Sequence, residues 1–265
     1  MPENPSKIQI ATFNANSIRT RLDQILGWMS ATQADVLCVQ ETKVQDSDFP
    51  QEAFQEAGLH VAFSGQKSHA GVAIISRTPP EDVLCGLDDD GPPDCPRLLR
   101  ARIQGINVIS AYVPQGRSID HEMFAYKLAW LGRLRALLER HHTTADDLIL
   151  CGDLNVAPEP IDIHDPKANA EHVDFHPSVR EAYAHMCAWG LVDVFRLHHA
   201  DVPDQYSYYD YRVRNAVDRG VGWRIDHLLA TPGLAARSTR AWIDLDARRA
   251  ERPSDHTFVV AEFDL

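Results

Sequence analysis

Several apolar segments of this 265-residue chain run directly into side chains that can bind a metal or donate a hydrogen bond. These are Asn14 and Asn16 after IQIATF, Glu41 after VLCVQ, Tyr112 after INVISA, and Asp153 and Asn155 after LILCG. One polar residue after a strand is usually a turn former. Strand ends also collect functional groups, because the strand fixes the side chain while the following loop leaves room for a ligand. The repetition of this arrangement predicts one shared site.

The side chains in this set indicate the chemistry of the site. Glu, Asp and Asn oxygens without thiolate suit a hard cation such as Mg²⁺, with Mn²⁺ as a substitute, better than zinc. Proteins usually hold Mg²⁺ by one or two carboxylates together with phosphate oxygens of a substrate. The set therefore predicts phosphoryl chemistry. If the backbone is still extended after Asp153, the two-residue spacing to Asn155 places both side chains on one face.

A histidine near the C-terminus is a second candidate for chemistry. Asp255 and His256 precede the apolar run TFVVAEF, and such a histidine is either an ordinary turn residue or an oriented acid or base. Asp226 lies inside the hydrophobic run WRIDHLLA, where a carboxylate needs a partner. A bond between Asp226 and the imidazole of His256 would satisfy both groups.

Short β-rich runs alternate irregularly with helical patterns along the chain. We predict one helix that begins at Ser17 as its N-cap and a second that carries apolar residues from Phe124 to Leu138. Residues 86–96 and 157–177 lack periodicity and are predicted to be loops. Strands and helices without strict alternation favour a mixed α/β sandwich.

The composition limits the class of protein. The chain has 26 basic and 38 acidic side chains, a net charge of −12, which argues against a wide basic surface for nucleic acid. An anionic partner must be met locally, by clustered arginines or by a metal. Five cysteines without a C-x-x-C pair are predicted to be reduced. With no long apolar run and no signal-peptide pattern, we expect a soluble, cytoplasmic protein that does not contact membranes.

Nine segments, in this order, resemble the signatures of the exonuclease III-type AP endonucleases, from about residue 7 to the last strand. They are TFNANSIRTR, QETKVQD, GQKSHAGVAIISR, YVPQGRS, GDLNVAP, WGLVD, YSYYDYR, GWRIDHLLA and PSDH. This family belongs to the endonuclease/exonuclease/phosphatase superfamily, whose fold is deoxyribonuclease I-like. The resemblance implies one domain over residues 1–265, a four-layer α/β sandwich in which two mixed β-sheets pack face to face with helices outside.

The resemblance also implies a Mg²⁺-dependent phosphodiesterase that cuts duplex DNA 5′ to abasic sites, processes 3′ ends or degrades strands from the 3′ end. The residues that match catalytic positions are Tyr112, Asp153, Asn155, Asp226 and His256. Those expected at the metal are Asn14, Glu41, Asp153, Asn155, Asp255 and His256. Family mechanisms differ on the general base, and we favour Asp153 over His256.

Expected DNA contacts are Asn16, Lys43, Arg97, Lys127, Tyr208 and Trp223. The tyrosines of YSYYDYR are either core packing or a wall against an extruded abasic sugar. The histidines of the 157–177 loop are not expected to bind zinc, because no cysteine or H-E-x-x-H pattern accompanies them. This loop borders the expected DNA cleft in the family and could admit or exclude a flipped sugar.

Three alternatives stay open at the level of sequence. The first is an enzyme restricted to 3′→5′ exonuclease and 3′-phosphatase activity with little cleavage at abasic sites. The second is another branch of the superfamily, such as the inositol phosphatases, which the motifs GQK-x-H-x-G and WGLVD disfavour. The third is a catalytically silent scaffold, which retention of every matched catalytic position disfavours. The family suggests a monomer.

Overall fold

The computed structural model describes residues 7–265, and strands and helices alternate irregularly along them. The strands are β1 (Lys7–Asn14), β2 (Val36–Gln40), β3 (His60–Gly65), β4 (Gly71–Ser76), β5 (Glu81–Cys85), β6 (Leu98–Ile103), β7 (Ile106–Tyr112), β8 (Leu148–Asp153), β9 (Val192–Asp193), β10 (Asp226–Ala230), β11 (Ser238–Asp244) and β12 (Phe258–Asp264). The helices are α1 (Leu22–Thr32), α2 (Gln51–Glu56), α3 (Glu122–His141), α4 (Pro177–Cys187), α5 (Val194–His198), α6 (Pro232–Ala235) and α7 (Leu245–Arg248).

The strands form two six-stranded mixed sheets. The first has the order β11-β12-β1-β2-β4-β3 and the second the order β5-β6-β7-β8-β10-β9. Each sheet contains one parallel pair near its centre, β1 with β2 and β7 with β8, while the other neighbours run antiparallel. The carboxyl ends of the central strands therefore point to the same edge within each sheet.

Three apolar clusters hold the layers together. One lies between the sheets, where residues such as Ile10, Val108 and Leu228 meet. A second packs the outer face of the second sheet against α3 and α4, and a third packs the outer face of the first sheet against α1 and α2. The helices thus cover the outside of both sheets, and the predicted four-layer α/β sandwich is confirmed.

Strand β8 has the alternation that two buried faces require. Leu148 and Leu150 pack under the outer helices, whereas Ile149 and Cys151 point between the sheets. All six residues of the strand are buried. The strand is therefore held from both sides up to Asp153, where it ends.

The structure contains both predicted helices, and the predicted start of one of them is wrong. Helix α3 contains the whole predicted stripe, and its N-cap is His121, whose ring accepts a hydrogen bond from the amide of Met123. Helix α1 begins at Leu22, so the prediction of Ser17 as N-cap is wrong. Ser17 has φ of 101° and donates its amide to the carbonyl of Glu41, because the chain first crosses the end of β2. Of the helices formed by residues 7–265, none has the length and apolarity to cross a membrane.

The loop between β5 and β6 corrects the prediction that all cysteines are reduced. Cys85 and Cys95 form a disulfide, with Cα atoms 4.7 Å apart. The two strands are antiparallel neighbours, so the loop brings its ends together, and sequence spacing alone does not reveal this closure. Cys38, Cys151 and Cys187 are free thiols.

A glycine sets the spacing between β7 and β8 one residue before Asp153. Gly152 has φ of 150°, and a Cβ atom there would lie 1.9 Å from the carbonyl oxygen of Ala111. Gly152 is paired with Ala111, and the next pair along is Asp153 with Tyr112. The close approach of these strands therefore places the two functional side chains side by side.

We expect Gly152→Ala to lower the free energy of unfolding by about 2–4 kcal/mol, because the added methyl group must push the strands apart at a strained backbone position. Gly132→Ala is the matched control: this glycine lies in α3 with open space around its Cβ position. It should raise stability by up to about 1 kcal/mol. Denaturant unfolding followed by circular dichroism measures both, and equal stabilities of the two variants would contradict the close-approach explanation.

Candidate active site

The predicted functional residues meet at one edge of the sandwich. Asn14, Tyr112 and Asp153 are the last residues of β1, β7 and β8, and Glu41 directly follows β2. Strands β10 and β12 run antiparallel to their neighbours and so bring their amino ends to the same edge. These four residues are brought together there by direct hydrogen bonds.

One carboxamide connects the two sheets. Asn14 donates from Nδ2 to Glu41 Oε1 at 2.9 Å and to Asp153 Oδ2 at 2.8 Å. The hydroxyl of Tyr112 donates to the same oxygen of Glu41 at 2.9 Å. Asn14 and Glu41 belong to the first sheet and Tyr112 and Asp153 to the second, so this network crosses the interface between the sheets.

Asn155 does not continue the strand, so the condition under which it would share a face with Asp153 is not met. It has φ of 50°, and its amide donates to Asp153 Oδ1 at 3.0 Å. This is an Asx turn, in which an Asp side chain accepts a hydrogen bond from the backbone amide two residues later. The side-chain nitrogen of Asn155 donates to the carbonyl of Val113 at 2.9 Å, which holds its carboxamide beside the site.

The predicted pair of Asp226 and His256 is confirmed. His256 Nδ1 lies 2.8 Å from Asp226 Oδ2, and Nε2 of the same ring lies 3.8 Å from Asp153 Oδ2. Ser207 donates its hydroxyl to Asp226 Oδ2 at 2.6 Å. No role for Ser207 is predicted from the sequence, because a single serine among tyrosines has no distinctive spacing. It fixes the carboxylate that orients the histidine.

Three polar residues lie at the rim of this network. Lys43 forms an ion pair with Glu41 Oε2 at 2.6 Å and donates to the side-chain oxygen of Asn16. Asn16 in turn donates from Nδ2 to Asp255 Oδ1 at 3.0 Å. Asp255 is thus bound at the rim through Asn16, one step away from the Glu41–Asp153 centre.

Burial and charge set unusual protonation equilibria here. Burial raises the pKa of Asp153 to about 8, against the opposing charge of His256. Burial would lower the pKa of His256, but Asp226 and Asp153 outweigh it and raise that pKa to about 10. Burial would also raise the pKa of Glu41, but the hydrogen bonds from Asn14 and Lys43 lower it. The site therefore holds an ionised Glu41 and a protonated His256 at neutral pH.

The donor set fits a hard cation. Glu41 and Asp153 present carboxylate oxygens, and Asp226 keeps a buried Oδ1 without a hydrogen-bond partner among residues 7–265. No thiolate lies in the set. Asn14 turns its amide nitrogen toward the carboxylates, and a protonated His256 has no free lone pair. Both act as donors in this metal-free arrangement. The carboxylates of Glu41 and Asp153 are therefore free to hold the ion, and Asp226, which lies close enough to Asp153 to share a metal with it, adds its unpartnered Oδ1.

These groups open onto a cavity of about 390 Å³. Glu41, Asp153 and His256 line its floor, and Tyr208 and Trp223 line its wall. Tyr208 forms isolated β-bridges to both His256 and Trp223, so the wall is joined to the floor. The site is a walled pocket beside the charged centre.

The tyrosines of YSYYDYR contribute both to the core and to the cavity wall. Tyr206 and Tyr209 are buried and pack edge to face with ring centroids 6.3 Å apart. Tyr208 lies in the cavity wall with its ring 4.9 Å from that of His256. Tyr211 is 49% exposed and donates to the carbonyl of Pro253 at 2.7 Å. Along this segment the tyrosines are thus divided among the core, the cavity wall and the surface.

The predicted DNA contacts fall into two groups. Asn16 and Lys43 lie at the rim and Tyr208 and Trp223 in the wall, and the guanidinium of Arg97 lies 4.9 Å from the centre of the Tyr112 ring. The prediction for Lys127 is wrong, because its side chain is fully buried in an ion pair with Asp174. An ammonium with no solvent access cannot meet a DNA phosphate.

The histidines of the 157–177 loop cap a helix and pack against the cavity wall. His176 caps α4 by accepting from the amide of Ser178. His172 packs its ring 4.6 Å from that of Trp223. Among residues 7–265, the group of side chains close enough to share a metal is Asp153, Asp226 and His256, outside this loop.

Comparisons with known proteins agree with this geometry. Residues 11–256 match the endonuclease/exonuclease/phosphatase family. The chain is 34% identical to the exodeoxyribonuclease III of Haemophilus influenzae over 97% of this chain and 100% of that protein. The solved structure of an AP endonuclease from Archaeoglobus fulgidus has 49% identity and a TM-score of 0.95, covering 97% of this chain and 100% of the other.

A third similar protein is the 3′ phosphatase NExo from Neisseria, solved with a bound product DNA hairpin. It has 36% identity and a TM-score of 0.90, and the match covers 97% of this chain and 100% of that chain. All three similarities extend over nearly the whole chain and include the segments that carry the strand-end residues. This chain belongs to the endonuclease/exonuclease/phosphatase family, as a member of its exonuclease III-type AP endonuclease group.

Proposed function

We propose that this chain is a Mg²⁺-dependent DNA-repair phosphodiesterase that hydrolyses duplex DNA by in-line attack of water, 5′ to abasic sites and at 3′ ends. The observation that carries the proposal is the network in which Asn14 joins Glu41 to Asp153 while His256 faces Asp153 from the other side. A centre of this kind activates water and stabilises negative charge at once. The DNA-directed activities in the names of the three similar proteins support the choice of substrate.

The cation is expected to be held by Glu41 and Asp153. When bound, Mg²⁺ or Mn²⁺ supplies positive charge that stabilises the phosphate oxygens as charge develops on them. Lys43 already pairs with Glu41, and its contact is partly open to solvent, with 29% of the lysine side chain exposed. Glu41 and Asp153 therefore lie between the buried cation of His256 on one side and the partly exposed Lys43 on the other.

Asp153 is suited to accept a proton from the attacking water. In the metal-free protein, burial raises the pKa of Asp153 to about 8, close to the pH at which a general base works best. The amides of Asn14 and Asn155 donate to its two oxygens and fix its orientation. A general base must be held within hydrogen-bond reach of the proton that it removes, and these two bonds provide that positioning.

His256 is suited to stabilise the phosphate. Asp226 holds Nδ1, so the protonated Nε2 points toward the cavity floor near Asp153. Burial, with the charges of Glu41 and Asp153, raises the pKa of Tyr112 well above its usual range, so its hydroxyl stays a donor. His256 and Asn155 thus offer donors to the oxygens of the phosphate, and Tyr112 would join them by turning its hydroxyl from Glu41 to the phosphate. No covalent intermediate is needed.

An acidic protein can bind DNA if exposed basic side chains surround the site. Lys43 pairs with Glu41 and Arg97 packs over the Tyr112 ring, so both cations lie next to residues that line the cavity, and Asn16 lies between Lys43 and Asp255. We propose these residues as contacts to the DNA backbone. Tyr208 and Trp223 would stack against bases or against an extruded sugar.

A second candidate is an enzyme that processes 3′ ends and cleaves poorly at abasic sites. The observation that favours it is the packing of His172 against Trp223, which fills part of the cavity wall. His164 packs against the same indole, with ring centroids 6.2 Å apart. This wall leaves less room for a flipped sugar than an open groove would, whereas a 3′ end can enter the cavity without flipping.

An assay with end-labelled duplexes tests the proposal and separates the candidates. Three substrates carry an abasic analogue, a recessed 3′ end or a 3′-phosphate, each with Mg²⁺, with Mn²⁺ and with EDTA. We expect product from all three with either metal and none with EDTA. Products from only the last two substrates would favour the second candidate, and activity unchanged by EDTA would refute the metal-dependent mechanism.

Substitution of the proposed base and of the charged histidine tests their roles. Asp153→Asn and His256→Ala should each lower kcat by about 10²–10⁴-fold, the range typical of positioned acid and base groups. Both proteins should stay folded by circular dichroism. His60→Ala, at an exposed position in β3, is the control and should leave kcat unchanged. Wild-type turnover in either site variant would remove that residue from the mechanism.

The pairing of His256 predicts a pH dependence. Its pKa of about 10 lies above the usual 6.5, so its contribution to stability is complete below about pH 6.5 and is lost as the pH rises through 10. Asp226→Asn should lower the pKa of His256 by about 1–3, because an opposite charge in contact is removed. In Asp226→Asn the stabilising contribution of the charged His256 should therefore be lost at a lower pH than in the wild type.

An NMR titration of the His256 ring in the metal-free protein measures this change. Asp218→Asn removes an exposed carboxylate elsewhere and should leave the titration of His256 where it was. If Asp226→Asn and wild type titrate together, the carboxylate does not hold the imidazolium.

A further inference from the structure

Lys127 occupies an unusual position for a lysine, fully buried behind the catalytic residues. Its Nζ donates to the carbonyls of Asn155 at 2.5 Å, Val173 at 2.9 Å and Gln115 at 3.1 Å. The carboxylate of Asp174 lies 2.6 Å from the same Nζ, so the three N–H groups of the ammonium are shared among four acceptors. The three carbonyls come from three separate segments, which follow β7, follow β8 and lie in the 157–177 loop. One ammonium group therefore ties three parts of the cavity together.

Stability alone does not account for this ion pair. Taking two charges out of water often offsets their attraction, and apolar residues of the same volume frequently serve as well. An apolar side chain could not donate to three carbonyls, however. What the lysine adds is a fixed geometry for the segments that carry those carbonyls.

The carbonyl of Asn155 belongs to a residue with an uncommon backbone conformation. Asn155 has φ of 50°, in the left-handed region that asparagine enters more readily than other non-glycine residues. Its amide bonds to Asp153 and its side-chain nitrogen to the carbonyl of Val113. Lys127 supplies the remaining bond, to the carbonyl. The amide, the carbonyl and the side-chain nitrogen of Asn155 then each have a hydrogen-bond partner, and only its side-chain oxygen is left over.

Asp174 extends the connection to the cavity wall. Its amide donates to His172 Nδ1 at 3.2 Å, and the ring of His172 packs against Trp223. Its carbonyl accepts from the amide of Ala157 at 2.7 Å, two residues beyond Asn155. Lys127 and Asp174 together therefore connect the floor of the cavity at Asn155 with its wall at Trp223.

We propose that Lys127 is a positioning residue for hydrolysis, which holds Asn155 in its catalytic orientation through the backbone, with Asp174 as its counter-ion and as its link to the wall. This inference rests on the proposed function, because it requires Asn155 to act on the scissile phosphate. It assigns Lys127 no contact with DNA.

Three variants separate positioning from the burial of charge. Lys127→Met removes the donors and leaves Asp174 buried without a cation, so both the Tm and kcat should fall. Lys127→Met combined with Asp174→Asn removes both charges, and the Tm should return toward wild type. The kcat of this double variant should stay about 10–100-fold low, because the carbonyl of Asn155 still lacks its donor and small misplacements near the chemistry are costly. Its KM for duplex DNA should change less than about threefold.

Asp174→Asn alone leaves Lys127 bonded to the carbonyl of Asn155. We expect it to keep kcat within about threefold of wild type, and any larger effect should fall on KM through the His172 wall. The control is the exposed pair of Arg102 and Glu81, with Arg102→Met and Glu81→Gln combined, which should change neither parameter. Steady-state kinetics with Mg²⁺ on the best duplex substrate, beside thermal unfolding, give all the values.

The outcomes are distinct. Recovery of kcat along with Tm in the double variant would reduce Lys127 to a structural ion pair and overturn the inference. Loss of kcat in Asp174→Asn as large as in Lys127→Met would overturn it too, because the bond to Asn155 persists there. If wild-type protein cleaves none of the duplexes with either metal, the proposed function itself fails, which the Lys127 variants do not decide.

Discussion

Two carboxylates, the partly buried Glu41 and the buried Asp153, meet where the sheets of the sandwich face each other, and one amide group bonds to both. Buried carboxylates without compensation are strongly unfavourable, so the surrounding residues can be understood as their partners. Lys43 neutralises Glu41 from the rim, and His256 faces Asp153 from the opposite side. Each sheet contributes one of the two acids, so the site exists only when the sheets pack in this register. Fold and chemistry depend on the same contact.

The acidity of the chain and its proposed substrate are compatible because charge is arranged locally. The net charge is −12, yet the cavity floor carries a protonated histidine, and its rim carries Lys43 and Arg97. A bound cation would add to this small positive region. The remaining acidic surface would repel DNA elsewhere, so that contact is favoured only where hydrolysis can occur.

Polar groups behind the cavity form a second layer of support. Ser207 holds the carboxylate of Asp226, and Lys127 holds the carbonyl of Asn155. Neither residue faces the cavity floor, and both act through a residue that does. Buried networks of this kind contribute little net stability but specify one arrangement of their members, since any other arrangement leaves polar groups unsatisfied.

The sequence by itself determined the strands that carry the site residues, the long helix α3, the sandwich class and the pairing of Asp226 with His256. These follow from periodicity and from the need of a buried carboxylate for a partner. Only the tertiary structure decided that Lys127 is buried and that Cys85 meets Cys95. It also decided that α1 begins after the turn over β2, and that Asn155 leaves the extended conformation. These features depend on contacts between segments distant in sequence, and local residue patterns contain no information about which distant group will arrive.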